Sequence, residues 1–347
     1  MKQSFAIGDR RVGVGEPALI CAEMGVTCNY DMSLSKELID VTAEAGADAA
    51  KFIFWFPDEM MSDRTISYTY QTTTGTVTEN MYEMVQQLRF TLDEWRELKA
   101  YADERGVLIF STVCTPSGVT WAEALGLEAY KISSWDYHYP GLWKAIASKG
   151  KPVLVDTGPV TLAELAQHVD LLSAHGCDEV CLIHNVHSDD PVEINMRSVA
   201  FMERTFGCPA GYSASGREMN TDVMALTLGA RYLEKRLTMS RDLPGHHHVL
   251  CLEPGEFKAY VALVREVEAS LGIDGLRPSS GDIKDSKRWF KRIVANMDLP
   301  AGTVLTEQHL AAKRPADGVR PTHIEQFLGR PLKRALKENE PIGWADV

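Results

Sequence analysis

Apolar and β-branched residues gather into eight short stretches along the first two-thirds of the chain. They are ALICAEMG (18–25), DAAKFIFW (48–55), VLIFSTVC (107–114), AYKISS (129–134), PVLVDTG (152–158), EVCLIHNV (179–186), PAGYSAS (209–215) and RYLEKRLTM (231–239). Runs this short, bounded by turn residues, read as buried strands. Between them the pattern changes to a helical period, as in SLSKELIDVTAEAGA (33–47), TLDEWRELKAYADERG (91–106) and TLAELAQHVDLLSAHG (161–176). Each of these opens at Ser or Thr and closes at or near Gly, residues suited to capping a helix. Eight strand-then-helix units in succession predict an α/β fold: a (β/α)8 TIM barrel of parallel strands, helices outside, with its site at the carboxyl ends of the strands.

Two segments fall outside that rhythm. Residues 56–90, FPDEMMSDRTISYTYQTTTGTVTENMYEMVQQLRF, are too long for a plain loop and suit a lid or a small hairpin. After the helical run EFKAYVALVREVEASLG the chain becomes rich in Gly, Pro and Ser, which predicts a linker over 276–289 between a barrel domain at 1–275 and a small β-rich domain at 290–347. The latter is too short to carry a large core alone.

Composition narrows the function. Of 347 residues 45% are hydrophobic and 24% charged, as in an ordinary globular protein. A net charge of −12 argues against a nucleic-acid or anionic-membrane partner, since both require basic surface. The seven cysteines are scattered with no CxxC pair, which suits reduced thiols. The N-terminal residues show no signal-peptide pattern, so a cytoplasmic location is expected.

Polar residues accumulate at the predicted strand ends: Glu23, Lys51, Ser111, Thr112, Lys131, Ser133, Ser134, Asp156, Thr157, His184, Asn185, His187, Ser213, Ser215, Glu234, Lys235 and Arg236. One such residue alone reads as a satisfied interior polar group. The whole set, converging on one mouth, reads as a site for a polar ligand. Lys51 and Lys131, with hydroxyls beside them, suit a phosphate or carboxylate. Glu23 is the candidate acid or base, or else a structural partner of Lys51.

These residues belong to longer motifs: AEMGVTCNYD, GADAAKF, YKISS, DTGPVTLAEL, GYSASG, LEKRLT followed by DLPG, and LTEQHLAAKRPADGV in the tail. Their order over nearly the whole chain resembles the N-acetylneuraminate (sialic acid) synthase family, including its C-terminal antifreeze-like (SAF) domain. That family joins phosphoenolpyruvate to an amino-sugar aldehyde, giving a 2-keto acid and phosphate, with manganese or magnesium polarising the aldehyde. The resemblance implies that Glu23 lies near the reacting water and aldehyde. It likewise implies that Lys51, Thr112, Lys131, Ser134 and Ser213 hold the phosphate or carboxylate. Asp136 matches an acidic sugar contact. Arg314 matches an arginine that reaches into the partner subunit's site in a domain-swapped homodimer.

The chain departs from the family where the chemistry lies. The family's two metal-binding histidines sit in GYSDH and EKH; here those motifs read GYSAS and EKR, so Ser215 and Arg236 stand in the ligand positions. Serine is a poor neutral ligand and a guanidinium is none. No metal or other cofactor is therefore expected. Asp156 replaces a phosphate-facing serine and would repel a phosphate unless a lysine neutralises it. Ile53 replaces a sugar-binding glutamine, His187 an asparagine, and Cys28 and Tyr30 the His and Gly of NHNG.

The run GHHH (245–248) raises a rebuilt metal site. If it is a strand, alternation lets only His246 and His248 face one centre. His184 and His187 offer another cluster, and His247 matches a substrate-facing position. The expected reading is a synthase-like, C–C bond-forming enzyme acting on a small anion such as phosphoenolpyruvate plus an aldehyde, with Glu23, Arg236, Asp156 and His187 catalytic. The other readings are a different acid–base reaction (aldol cleavage, elimination or isomerisation) on a sugar-derived acid, or a catalytically silent sugar-acid binder.

Overall fold

The computed structural model describes residues 1–188, 190–273 and 275–347, so Asp189 of the HNVHSDDP loop and Asp274 lie outside the described residues. It has two compact units, Met1–Gly272 and Ile273–Val347. The first is a closed barrel of eight parallel strands: β1 (Leu19–Glu23), β2 (Ala49–Phe54), β3 (Leu108–Val113), β4 (Tyr130–Ile132), β5 (Val153–Asp156), β6 (Val180–Asn185), β7 (Ala210–Ser213) and β8 (Tyr232–Arg236). Each pairs with its neighbours in sequence, and β8 closes on β1. All eight fall inside the predicted stretches. Among the described residues no helix is long and apolar enough to cross a membrane.

Successive side chains on a strand point to opposite faces, and this decides which polar residues see the site. Leu19, Cys21, Ala49, Phe110, Leu154, Cys181, Ile183 and Tyr232 pack inside the barrel. A hairpin of Ser4–Ile7 and Arg10–Gly13 adds Phe5, Ile7 and Val12 to that cluster, giving the barrel an apolar floor. One step further along each strand, the inward positions are Glu23, Lys51, Thr112, Lys131, Asp156, Asn185, Ser213, Glu234 and Arg236. Ser111, His184 and Lys235 stand between inward residues and face the helices instead, so these three leave the predicted set. Strand periodicity, not chemistry, removes them.

Lys235 has a structural use there. Its Nζ donates to Asp222 Oδ2 at 2.8 Å and to the Glu218 carbonyl at 2.7 Å, and it lies 5.5 Å from the centre of the Tyr260 ring. Both charges of the pair are fully buried. Burial opposes ionisation of Asp222, with Lys235 counteracting it.

Helix starts follow local chemistry. Thr91 and Thr161 cap the helices Leu92–Glu104 and Leu162–Ala174 in reciprocal boxes with Glu94 and Glu164. The first helix, Met32–Ala45, begins earlier than Ser33, because the side chain of Asp31 accepts the amide of Leu34 at 2.9 Å. Residues 56–90 contain a short helix, an antiparallel hairpin of Ser67–Thr72 and Gly75–Asn80, and the helix Met81–Gln87.

In the second unit the expected linker is partly helical: Ser280–Trp289 forms a helix, since Ser279 and Asp282 make a capping box despite the Gly and Pro around them. Beyond it Arg292–Ala295 pairs antiparallel with Leu310–Lys313. Isolated bridges and a core including Ile293, Leu305, Phe327 and Leu336 complete the unit.

Removing one member of a buried ion pair strands the other without compensation. Asp222→Ala is therefore expected to destabilise the barrel unit by about 3–5 kcal/mol, read as a lowered urea midpoint by circular dichroism. A loss below about 1 kcal/mol would mean that Lys235 finds another partner.

Candidate active site

At the carboxyl ends of the strands, cations and carboxylates alternate around the barrel mouth. Glu234 accepts from Lys131 Nζ at 2.5 Å, from Tyr232 Oη at 2.6 Å and from Ser213 Oγ at 3.3 Å. Its other neighbour is Lys51, with Nζ 3.5 Å from Glu234 Oε1 and 3.3 Å from Glu23 Oε1. Lys51 also donates to Thr112 Oγ1 at 3.3 Å. Lys131 lies 3.1 Å from Asp156 Oδ1, yet off the hydrogen-bonding direction, because that oxygen is buried without a hydrogen bond. Asn185 Oδ1 is likewise buried and unpartnered.

Neighbouring strands create this order. Glu23 is directly opposite Lys51, Arg236 opposite Glu23, Thr112 opposite Lys131 and Asn185 opposite Ser213. Gly25 is required beneath Glu23: its amide donates to Glu23 Oε1 at 2.8 Å, and a Cβ there would meet Ile53 Cγ1 at 2.5 Å. Gly158, at φ 51°, lets the chain pass Ser134, whose Cβ lies only 2.2 Å from where a Cβ would project.

Charge balance separates the carboxylates. Burial opposes ionisation of Glu234, but Lys131 and Lys51 outweigh it and hold this group below the usual carboxylate range. Lys51 is also buried, and Glu23, Glu234 and Asp156 hold it above its usual value. Burial pushes Asp156 up to about 6, with Lys131 pulling down and Glu234 pushing up. The result is one firmly ionised carboxylate and one that holds its proton into the mildly acidic range, both sharing Lys131.

Arg236 faces this cluster from the end of β8. Its Nη1 donates to the Ser215 carbonyl at 2.5 Å, and its Nε lies 4.0 Å from Glu23 Oε2. The surrounding imidazoles stay neutral: burial lowers His187, His246 and His247, and Arg236 lowers each further, His246 reaching about 4. The hairpin 67–80 approaches from above, placing Tyr68 and Tyr70 at 5.5 and 5.8 Å from the His246 ring.

Ser134, His187 and Asp136 follow the ends of the strands at the rim. Ser134 Oγ lies 3.5 Å from His187 Nε2, and His187 stacks on Trp135 with centroids 4.9 Å apart. Asp136 sits beside buried Cys114, and burial raises its carboxyl to about 6. Ser215 is partly buried on the side of a separate cavity of about 1300 Å³, lined by Val186, Asn195, Phe201, Tyr212, Ser215 and Met224 among others. That cavity lies beside the charged cluster and shares only Ser215 with the predicted site residues. Arg314 lies in the second unit, its guanidinium 5.4 Å from the Trp289 ring centre and its Nε donating to the Trp289 carbonyl at 2.7 Å.

Strand alternation does not govern the histidine run. His247 has φ 71° and His248–Leu250 forms a 3-10 turn, so His246 and His247 become the neighbouring pair, with ring centroids 4.6 Å apart. His248 is held between Thr238 Oγ1 at 2.7 Å and Asn29 Oδ1 at 3.2 Å. His184 Nε2 donates to the Ile194 carbonyl at 2.6 Å. Among the described residues, no three His, Cys, Asp or Glu side chains gather where they would hold a metal ion. Tyr30 is core rather than site: its hydroxyl donates to the Ile53 carbonyl at 2.5 Å while its ring packs on Phe90 and Trp95.

The acidic partner of both lysines, Glu234, was legible only as one polar strand end among many. Its period-two relation to Tyr232 and Arg236 is the signal that places it inside. Asn185 carries the same signal.

Comparison with known proteins agrees with the barrel and the small second unit. A model of the NeuB family matches residues 38–275, and a model of the SAF domain matches 292–347. An uncharacterised protein of Methanocaldococcus jannaschii is 31% identical, with 99% of each chain aligned. The N,N'-diacetyllegionaminic acid synthase of Campylobacter jejuni is 30% identical over 93% of this chain and 98% of its own. Among solved structures, the N-acetylneuraminic acid synthetase of Leptospira borgpetersenii in complex with citrate is 25% identical, with a TM-score of 0.72 over 82% of this chain and 95% of that one.

The raised Asp156 carboxyl has a consequence for stability. Its folded value, about 6, exceeds the unfolded value of roughly 3.9, so the folded state binds more protons between them and loses stability as pH rises through that window. Asp156→Asn removes the loss. At pH 8 the variant is expected to be more stable than the parent by on the order of 2 kcal/mol, the gain vanishing near pH 4. Thermal unfolding across that range reads it; a gain that persisted at pH 4 would point to packing instead.

Proposed function

This chain belongs to the NeuB family, and we propose that it condenses phosphoenolpyruvate with an aldehyde, Arg236 taking the part that a metal ion plays in the family. The observation that carries the reading is the arrangement of Lys51 and Lys131 below Arg236, with Glu23 reaching both Lys51 at 3.3 Å and Arg236 at 4.0 Å. Lys51, Lys131, Thr112 and Ser213 supply charge and neutral donors to the phosphate and carboxylate. The named relatives, a legionaminic acid synthase and a sialic acid synthetase, support a synthase of this class.

The reaction balances as phosphoenolpyruvate, aldehyde and water giving a hydroxylated 2-keto acid and phosphate. The enol carbon forms a bond to the aldehyde carbon, and the aldehyde oxygen gains negative charge and then a proton. Water adds at the carbon bearing the phosphate, and the phosphate leaves with its oxygen. Arg236 faces the developing alkoxide as a fixed cation whose neighbours, His187, His246 and His247, add no competing charge. Glu23 moves the proton at the aldehyde oxygen or the attacking water. The residues do not fit manganese or magnesium, because a serine and a guanidinium stand where the family has imidazoles, and Arg236 would repel a cation. The step is therefore built on the guanidinium alone.

Acceptor choice follows from the same wall. Ile53 stands over Gly25 beside Glu23, and Tyr68 and Tyr70 of the hairpin face His246. An apolar and aromatic surface there favours an acceptor different from the ordinary amino sugar.

Purified protein is to be incubated with phosphoenolpyruvate and a panel of amino-sugar and simpler aldehydes, with manganese or with chelator. Phosphate release insensitive to chelator is the expected outcome. Arg236→Ala is expected to lower kcat by about 10²–10³-fold, as for loss of one oxyanion donor, with Arg236→Lys recovering part of it. Release abolished by chelator, or unchanged in Arg236→Ala, would overturn the role given to Arg236. Consumption of no aldehyde in the panel would turn the reading toward an acid–base reaction on a sugar-derived acid.

A further inference from the structure

We infer that Asp156 couples anion binding to proton uptake: the phosphate or carboxylate of the substrate enters with Asp156 as the neutral acid, which then donates its O–H to that anion. This rests on the proposed reading of the site as an anion pocket and names the residue that sets which charge state it accepts.

The mouth is already neutral before any ligand arrives. Lys51, Lys131 and Arg236 are matched by Glu23, Glu234 and Asp156, all within one network of contacts of 2.5 to 4.0 Å. A phosphate placed against the lysines would add at least one further negative charge to a buried, low-dielectric setting, where like charges repel strongly. One carboxylate must then lose its charge, and the contacts select which.

Glu234 is held ionised by two lysines and by the hydroxyls of Tyr232 and Ser213. Glu23 has Lys51, the Gly25 amide and, more distantly, Arg236. Asp156 has Lys131 as its one direct cationic contact, and that contact falls on an oxygen that is buried without a well-aligned hydrogen bond. It is the carboxylate least supported in its charged form.

The groups around Asp156 agree. Burial already disfavours its charge; Lys131 from β4 and Lys51 from β2 oppose that, while Glu234 from β8 reinforces it. Tyr137, after β4, and Cys181, on β6, also lie near enough to feel Asp156, and both stay neutral at physiological pH because burial raises them. An arriving anion adds a further push in the same direction. Near neutral pH the proton comes from solvent, stays on the carboxyl while the anion is bound, and returns when the anion leaves.

The test is calorimetric titration of the full-length protein and of Asp156→Asn with phosphoenolpyruvate, and separately with inorganic phosphate. Each titration is run at several pH values in buffers of differing ionisation enthalpy. The expected result at pH 7.5 is uptake of about one more proton per anion in the parent than in the variant. The ratio of the parent's Kd to the variant's is expected to grow by up to about tenfold per pH unit above pH 7. Because both anions titrate near neutrality, the difference between parent and variant is the readout.

Phosphoenolpyruvate binding with equal proton uptake in both proteins would overturn the role of Asp156 and leave the substrate reading standing. Coupling seen with inorganic phosphate but no binding of phosphoenolpyruvate would sink the substrate reading and uphold Asp156. Binding of neither anion to either protein would overturn both.

Discussion

Two buried lysines, Lys51 on β2 and Lys131 on β4, meet the same carboxylate, Glu234 on β8, across the mouth of the barrel. The rest of the site follows from this contact. Without Glu234 two ammonium groups would face each other in a setting that water reaches poorly, and neither would keep its position. With it, Lys51 is free to reach Glu23 and Thr112, and Lys131 to reach Asp156. Tyr232, from the apolar layer below, adds a hydroxyl to the same carboxylate and so ties the charged layer to the floor. The charges are therefore preorganised by strand register rather than by loops, which suits a site that must stabilise charge as it develops.

Above that layer stands a cation fixed by covalent structure. Arg236 takes its place from its position at the end of β8 and from the Ser215 carbonyl. Burial, with the Arg236 charge adding to it, keeps the nearby histidines neutral, so they line this side of the mouth as polar, uncharged walls. His248 and His184 are already committed to partners elsewhere. The hairpin 67–80 brings two tyrosines to the same wall, which therefore differs in character from the lysine side.

Much of this was legible along the chain. Short apolar runs bounded by turn residues, and Ser or Thr before helical periods, gave eight strands and helix starts such as Thr91 and Thr161, because both depend on contacts a few residues apart. Ser33 misled, since Asp31 caps first, and the Gly- and Pro-rich stretch near 280 concealed a capping box strong enough to start a helix. Lys235, His184 and Ser111 were indistinguishable by type from their inward neighbours; only the face of the strand separates them.

Sequence alone determined the barrel, the order of its motifs and the identity of the ionisable groups at the strand ends, since periodicity and residue type are local properties. Tertiary structure decided which groups share a centre. That Glu234 joins two lysines, that Asp156 meets one lysine off the hydrogen-bonding direction, and that His246 and His247 rather than His246 and His248 are neighbours all depend on register between distant strands and on one left-handed residue. Electrostatic energy depends on distances of a few ångströms between residues up to about two hundred positions apart, and no pattern along the chain encodes those distances.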